Sequence, residues 1–345
     1  MQLFSNDLGV DLGTSNVLIY VEGKGVVVRE PSVVAVDKNT GKILQVGAAA
    51  RNMLGRTPGN VVAMHPLKDG VISDHEMTVK MLQTLFRSAT KSSLFTPKPR
   101  VVICVPSGVT EVEERSVINA AIEAGARRAY LIEEPLAAAM GAGLDIKGPN
   151  GHMVVDIGGG TTDVAVLSLN GVAVSSSLEV AGNAFDEAIG RYVRRRHGVI
   201  IGQVTAEDIK IQIGCVYPRP EDISMNIKGR DAKTGMPREV TLFSSEIYEV
   251  LRRPARSIAD EVLSVLEETS PELVSDISEN GITLTGGGSQ IWGMDMLLTE
   301  RTGIPCTIAD DPDSCVVYGC GKSLSWINHM QEGPINIARR RIMRE

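Results

Sequence analysis

One short pattern occurs twice, and that duplication constrains the fold more than any other feature of the chain. Val10-Asp11-Leu12-Gly13 and Val155-Asp156-Ile157-Gly158 each end an apolar run on an aspartate and turn at a glycine. Small and hydroxylated residues follow both: Thr14-Ser15-Asn16 after the first copy, Gly159-Gly160-Thr161-Thr162 after the second. A further apolar run comes next in each case, at Val17–Val21 and Val164–Leu169. Nearly half of the 345 residues lie between the copies. That is far beyond the roughly 20–50 residues of a solenoid repeat. It predicts two lobes of similar build that face one another, and the chain is long enough for about two domains.

Local patterns fill in an α/β architecture. Val26–Arg29, Val33–Val36, Ile43–Val46, Val101–Val105 and Tyr130–Ile132 read as strands in the first half, with Asn39-Thr40-Gly41-Lys42 as a hairpin turn. Glu76–Thr90 has helical apolar spacing, and Thr110 with Glu113 predicts a capping box opening a helix to about Gly125. In the second half, Met153–Ile157, Val164–Leu169 and Val172–Val180 read as strands, with a turn at Asn170-Gly171. Helices are expected at about Ala184–His197, Ala206–Gly214 and Ser245–Glu268, the last kinked or split at Pro254. A strand at Ile282–Thr285 then enters Gly286-Gly287-Gly288.

Four segments carry chemistry. In the first, Asp11 leads into Gly13-Thr14-Ser15-Asn16, a turn able to aim backbone N–H groups at phosphate oxygens. The element after it is a strand, unlike the helix that follows a Walker A loop. Taken alone, it is equally a plain hairpin turn. In the second, Asp156 precedes Gly158-Gly159-Gly160-Thr161-Thr162. Three consecutive glycines cost backbone entropy that a simple hairpin does not demand, so close approach of the backbone to a ligand is expected. Asp11 and Asp156 would then flank phosphates from opposite lobes, an arrangement suited to a Mg²⁺ that keeps several waters. The third is Glu133-Glu134-Pro135, able to orient a water against a γ-phosphate, or simply acids favoured at a helix start. The fourth, Gly286-Gly287-Gly288-Ser289, allows close passage against a nucleoside, or a tight strand-to-helix loop.

In this order the four segments resemble those of the actin-like ATPase superfamily, with Asp310–Gly321 similar to its last connecting helix. Within it, the chain resembles the MreB family of bacterial actins, including the close paralogue Mbl. The likeness extends through Glu30–Ala35, Arg56–Asn60, Pro66–Ile72 and Pro271–Leu273. The resemblance implies an actin-like fold of two related lobes, each a mixed sheet flanked by helices, with the nucleotide between them. Lobe I would comprise residues 1–144 and 311–345 with a small insert at about 32–76; lobe II would comprise 145–310 with an insert at about 181–245.

It further implies ATP and Mg²⁺ as cofactors and an ATPase coupled to filament assembly. Asp11 and Asp156 would hold Mg²⁺ through water, and Glu134 would position the attacking water. Gly13, Thr14, Ser15, Asn16, Gly158, Gly159, Gly160, Thr161 and Thr162 would contact phosphates. Glu207 and Lys210 would lie near the ribose and base, and Gly286, Gly287 and Gly288 would back the adenosine. Partners would be further copies of the chain, the inner face of the cytoplasmic membrane and membrane proteins of cell-wall elongation. Leu94 and Phe95, an apolar pair in the polar loop 91–100, would insert into the membrane. Two departures stand out: only Met1–Phe4 precede Ser5-Asn6-Asp7, where some relatives carry a longer amphipathic helix, and position 15 is Ser where Ala is common. A metabolic kinase of the same superfamily is the alternative; a large heat-shock chaperone would need a further domain after the ATPase.

Bulk properties narrow the remainder. A net charge of −7 argues against nucleic-acid binding, which wants a basic face. The five cysteines form no Cys-x-x-Cys pair and mostly sit in apolar runs, which suits buried reduced thiols. No secretory signal and no apolar run of ~20 residues is seen, so a cytoplasmic protein with peripheral membrane contact is expected.

Overall fold

The computed structural model describes residues 7–90 and 97–327. Leu94, Phe95, Met1–Phe4 and the basic C-terminal run lie outside the described residues.

The first lobe is built from β1 (Leu8–Leu12), β2 (Asn16–Val21), β3 (Gly25–Pro31), β4 (Val34–Asp37), β5 (Ile43–Val46), the single-turn α1 (Ala48–Arg51), β6 (Val61–Met64), the short pair β7 (Leu67–Lys68) and β8 (Val71–Ile72), α2 (His75–Thr90), β9 (Arg100–Val105), α3 (Glu111–Glu123), β10 (Arg128–Glu133) and α4 (Glu134–Ala142). The second contains β11 (His152–Ile157), β12 (Thr162–Ser168), β13 (Gly171–Leu178), α5 (Gly182–His197), β14 (Val199–Ile200), α6 (Gln203–Ile213), β15 (Ser224–Asp231), β16 (Pro237–Phe243), α7 (Ser244–Glu268), α8 (Pro271–Asn280), β17 (Ile282–Thr285), α9 (Met294–Thr302) and β18 (Cys306–Ile308). α10 (Cys315–Ser323) packs on β1 and α4.

The two main sheets are topological copies. Their orders are β10-β9-β1-β2-β3 and β13-β12-β11-β17-β18. In each, the aspartate-bearing strand is central, pairs antiparallel with the next strand in sequence, and pairs parallel with a later one. Burial on both faces explains why β1 is buried at all five positions and β11 at five of its six. The duplication seen in the sequence is therefore a duplication of sheet topology.

The lobes join through α4 and α10, which pack between the sheets with Val102 and Ile132 on one side and Val154 and Ala165 on the other. Their backbones touch. A Cβ on Gly141 would stand 1.7 Å from the Cys315 carbonyl oxygen, and one on Gly319 would stand 1.9 Å from that of Ala137. Gly319→Ala is expected to force the helices apart and to destabilise the protein by about 1–3 kcal/mol. A denaturant midpoint unchanged from wild type would show that the crossing yields at little cost.

Two local expectations are corrected. Pro254 does not split its helix: α7 runs unbroken over 25 residues. Proline costs about 3 kcal/mol inside a helix. Seven buried apolar side chains at helical spacing, from Ile247 to Val265, offset that by holding the stripe on the core. The β12–β13 turn is also one residue early: Leu169 and Asn170 carry the positive φ values, 52° and 58°, and Gly171 already begins β13. The Thr110–Glu113 capping box forms as expected, each partner holding the other's backbone N–H.

Candidate functional site

β1 and β11 deliver their aspartates and turns to one cavity of about 580 Å³ between the lobes. Asp11, Gly13, Thr14, Ser15 and Asn16 line it from the first lobe, and Asp156, Gly158, Gly159, Gly160 and Thr161 from the second. Glu134, Glu207, Lys210, Gly286, Gly287 and Gly288 complete the expected set on its wall. Thr162 is the exception. It is fully buried in β12, and its hydroxyl donates to the Val180 carbonyl at 2.8 Å.

The two turns touch each other. Within the first lobe, Thr14 Oγ1 accepts the Gly70 N–H at 2.8 Å, which fixes the side chain that faces the other turn. A Cβ on Gly159 would lie 1.9 Å from Ser15 Oγ, and one on Gly160 would lie 2.6 Å from Thr14 Oγ1. The glycine run is thus demanded by the facing turn of the other lobe, a close approach that the sequence reading had assigned to a ligand alone. A second link across the cleft runs from the Ser107 N–H to Asp163 Oδ1 at 2.9 Å.

Acids crowd the floor of the cavity. Burial lifts the Asp11 carboxyl to about 7, partly opposed by the Cys104 thiol and Arg29. Burial lifts Asp156 to about 7 as well, against the Thr285 hydroxyl that donates to its Oδ1 at 2.6 Å. Glu134, half-buried, is pushed well above the usual carboxylate range, chiefly by loss of water, with Asp163, Asp156 and Asp11 adding repulsion. Asp163, directly opposite Asp156 in the β11–β12 register, is raised to about 6, chiefly by burial. The first copy places Leu18 at the equivalent position opposite Asp11. Such crowding is costly without a cation. The paired carboxylates of Asp11 and Asp156, both lining the cavity, fit a Mg²⁺ that keeps several waters.

The other end of the cavity differs in character. Glu207 and Lys210 stand about one turn apart on α6. Glu207 pairs with Arg51 of α1 across the cleft. Lys210 Nζ lies 3.0 Å from the Asp186 carboxylate and donates to the Gly182 carbonyl at 3.2 Å. Gly286 has φ 78°, and a Cβ there would meet the Ile157 carbonyl oxygen at 2.4 Å. Phe185, Ile211 and Trp292 add apolar surface to the wall, and the Arg219 guanidinium lies 4.7 Å from the Trp292 ring centroid. Arg29 also lines the cavity, bonded to Ser314 and 3.8 Å from Asp313. The sequence pattern did not single out Arg29, Arg219 or Trp292, which meet the cavity only once the elements are packed together.

Comparison with known proteins agrees with this geometry. The family model described as MreB/Mbl protein matches residues 5–332. The cell shape-determining protein MreB of Escherichia coli (strain K12) is 52% identical over 330 residues, covering 94% of this chain and 95% of that protein. The crystal structure of MreB5 of Spiroplasma citri bound to AMPPNP superposes with a TM-score of 0.88 at 42% identity, covering 93% of this chain and 96% of that one. A MamK double helical filament superposes with a TM-score of 0.77 at 25% identity, covering 92% and 98%. The kinase alternative finds no support among these relatives. The duplicated sheets, the cleft between them and a match over nearly the whole length establish that this chain has the actin-like fold and belongs to the MreB/Mbl family.

Proposed function

We propose that the chain binds Mg²⁺·ATP in this cleft, hydrolyses it, and polymerises into filaments on the inner face of the cytoplasmic membrane that organise cell-wall elongation and rod shape. The observation that carries the reading is the meeting of Asp11 and Asp156, from equivalent strands of two copied sheets, beside two turns in mutual contact where Ser15 meets Gly159 and Thr14 meets Gly160. The relatives supply the context: one is described as cell shape-determining, one as bound to AMPPNP, one as a filament. In this reading lobe I is residues 1–144 and 311–345, and lobe II is 145–310.

Asp11 and Asp156 would hold Mg²⁺ through water, and the bound ion would neutralise phosphate charge. The backbone N–H groups of the two turns face the phosphates. Glu134 heads α4, with Pro135 in its first turn, and its carboxylate makes no hydrogen bond among the described residues. It is free to accept a hydrogen bond from a water and orient it for in-line attack. Glu207 and Lys210 face the ribose and base, and Gly286–Gly288 pass behind the adenosine. Light scattering with ATP tests the whole reading. Scattering is expected above a critical concentration, and its absence at every concentration would leave a nucleotide-binding protein that does not polymerise.

Leu94 and Phe95 are proposed as the membrane contact. Burying both side chains is worth roughly 3–6 kcal/mol. Ordering the loop consumes much of that, so one subunit binds weakly and a filament binds firmly through many loops. Polymer-dependent flotation with liposomes is expected for the wild type and not for a Leu94→Ser, Phe95→Ser variant that still polymerises. Equal flotation of the two proteins would discard the loop as anchor.

A further inference from the structure

Cys104 takes no part in the function proposed above, yet it stands on the floor of the same cavity. It comes from β9, the strand parallel to β1, which sets it beside Asp11. Its Sγ lies 3.6 Å from Asp11 Oδ1. A thiol sulfur, an Asp11 oxygen and a Glu134 oxygen all fall within 4.8 Å of one another. We propose that Asp11, Cys104 and Glu134 form a binding site for a thiophilic divalent cation of the Zn²⁺ class, and that its occupancy excludes Mg²⁺·nucleotide.

The spacing fits that ion. Zn²⁺ binds sulfur at about 2.3 Å and carboxylate oxygen at about 2.0–2.2 Å, in a tetrahedron. The sulfur-to-oxygen edge of such a tetrahedron is about 3.6 Å, which matches the separation already present between Cys104 and Asp11. Glu134 needs only a small side-chain movement to complete the face. Three protein ligands with a fourth position open to the cavity is the pattern of an accessible rather than a sealed zinc site. Cys104 also meets the Cys320 thiol, and that contact and burial push its own thiol well above the usual range, so a metal has to take the proton's place; the two acids are less engaged. Among the described residues the 9% exposed Asp11 carboxylate accepts a hydrogen bond from the Cys104 thiol alone, and the Glu134 carboxylate accepts none. Arg29 is the cation that acts on Asp11, and it is already shared with Ser314 and Asp313.

The same donors separate two kinds of ion. Mg²⁺ is hard, prefers oxygen and keeps its waters, so it gains nothing from Cys104. A thiophilic ion exchanges the thiol proton, released to solvent, for a metal–sulfur bond. Bound there, it would take up Asp11 and Glu134, the acids proposed to serve Mg²⁺ and the attacking water, and so compete with Mg²⁺·nucleotide.

Co²⁺ provides a visible probe. Titration of the full-length, nucleotide-free protein is expected to give a sulfur-to-cobalt charge-transfer band that saturates at one equivalent and is bleached by Zn²⁺. Cys104→Ala should abolish the band, and Glu134→Gln should weaken Co²⁺ binding by about tenfold or more, the usual scale for an altered metal site. A band of full intensity in a folded Cys104→Ala protein would overturn the proposal. Should that variant not fold, wild-type protein answers instead. Zn²⁺ is expected to shield Cys104 from iodoacetamide, mapped by mass spectrometry, and shielding confined to other cysteines would also overturn it. Mg²⁺·ATP is expected to bleach the cobalt band. A band that forms at Cys104 but survives Mg²⁺·ATP would keep the cation site and remove the nucleotide from this floor, so the two readings fail separately.

Discussion

Glu134→Ala is expected to lower the rate of phosphate release about 10²–10⁴-fold while leaving ATP affinity nearly unchanged, the scale of a lost general-base or water-orienting group. The carboxylate stands at the junction of β10 and α4 on the cavity floor. Its interaction with a water matters mainly as the phosphoryl group is being transferred, so its removal acts on the transition state and not on the ground state. Single-turnover phosphate release, read beside nucleotide affinity, separates the two. A variant that releases phosphate at the wild-type rate would demote Glu134 to a helix-start acid and turn attention to Glu133, which precedes α4 as its N-cap residue.

Asp11→Ala and Asp156→Ala are each expected to weaken Mg²⁺-dependent ATP binding by roughly 1.5–3 kcal/mol or more, about 10- to 150-fold. Both carboxylates are buried, and burial raises each to about 7, so a bound cation favours their charged forms. The loss should therefore be large with Mg²⁺ and small without it. Calorimetry in the presence and absence of Mg²⁺ checks this. Wild-type affinity in both variants would remove the aspartates from the site. Asp156→Ala also frees the Thr285 hydroxyl from its partner, so Asp156→Asn is the better control for structure.

Much of this arrangement was legible beforehand because it rests on local patterns. The Asp-Gly turns, the run of three glycines and the Thr110 capping box each announce themselves within about six residues. What stayed hidden depends on register or on contact across the cleft. Asp163 reads as an ordinary hairpin residue until β11 and β12 are aligned and it falls opposite Asp156. Arg51 is an unremarked helix residue until the lobes close and it reaches Glu207. The β15–β16 hairpin gave no signal because few of its side chains are buried and the apolar alternation is faint. Thr162 was grouped with the phosphate contacts by adjacency. Strand alternation turns it away from the cavity and into a bond with Val180.

The bare crossing of α4 and α10 has a mechanical meaning. Helices usually lock through side-chain ridges seated in grooves. At Gly141 and Gly319 there is no ridge to seat, only backbone against backbone. Such a joint is tight against compression and smooth against swivelling. The joint then sets the distance between the lobes, and their angle is left to the contacts across the cleft: the two touching turns, the Ser107–Asp163 bond and the Arg51–Glu207 pair. In the proposed function a nucleotide held at those turns would set the angle, and the small sheets β4–β6 and β14–β16 would carry the change outward. The chain would then work as a pair of calipers whose jaws report what is held near the hinge.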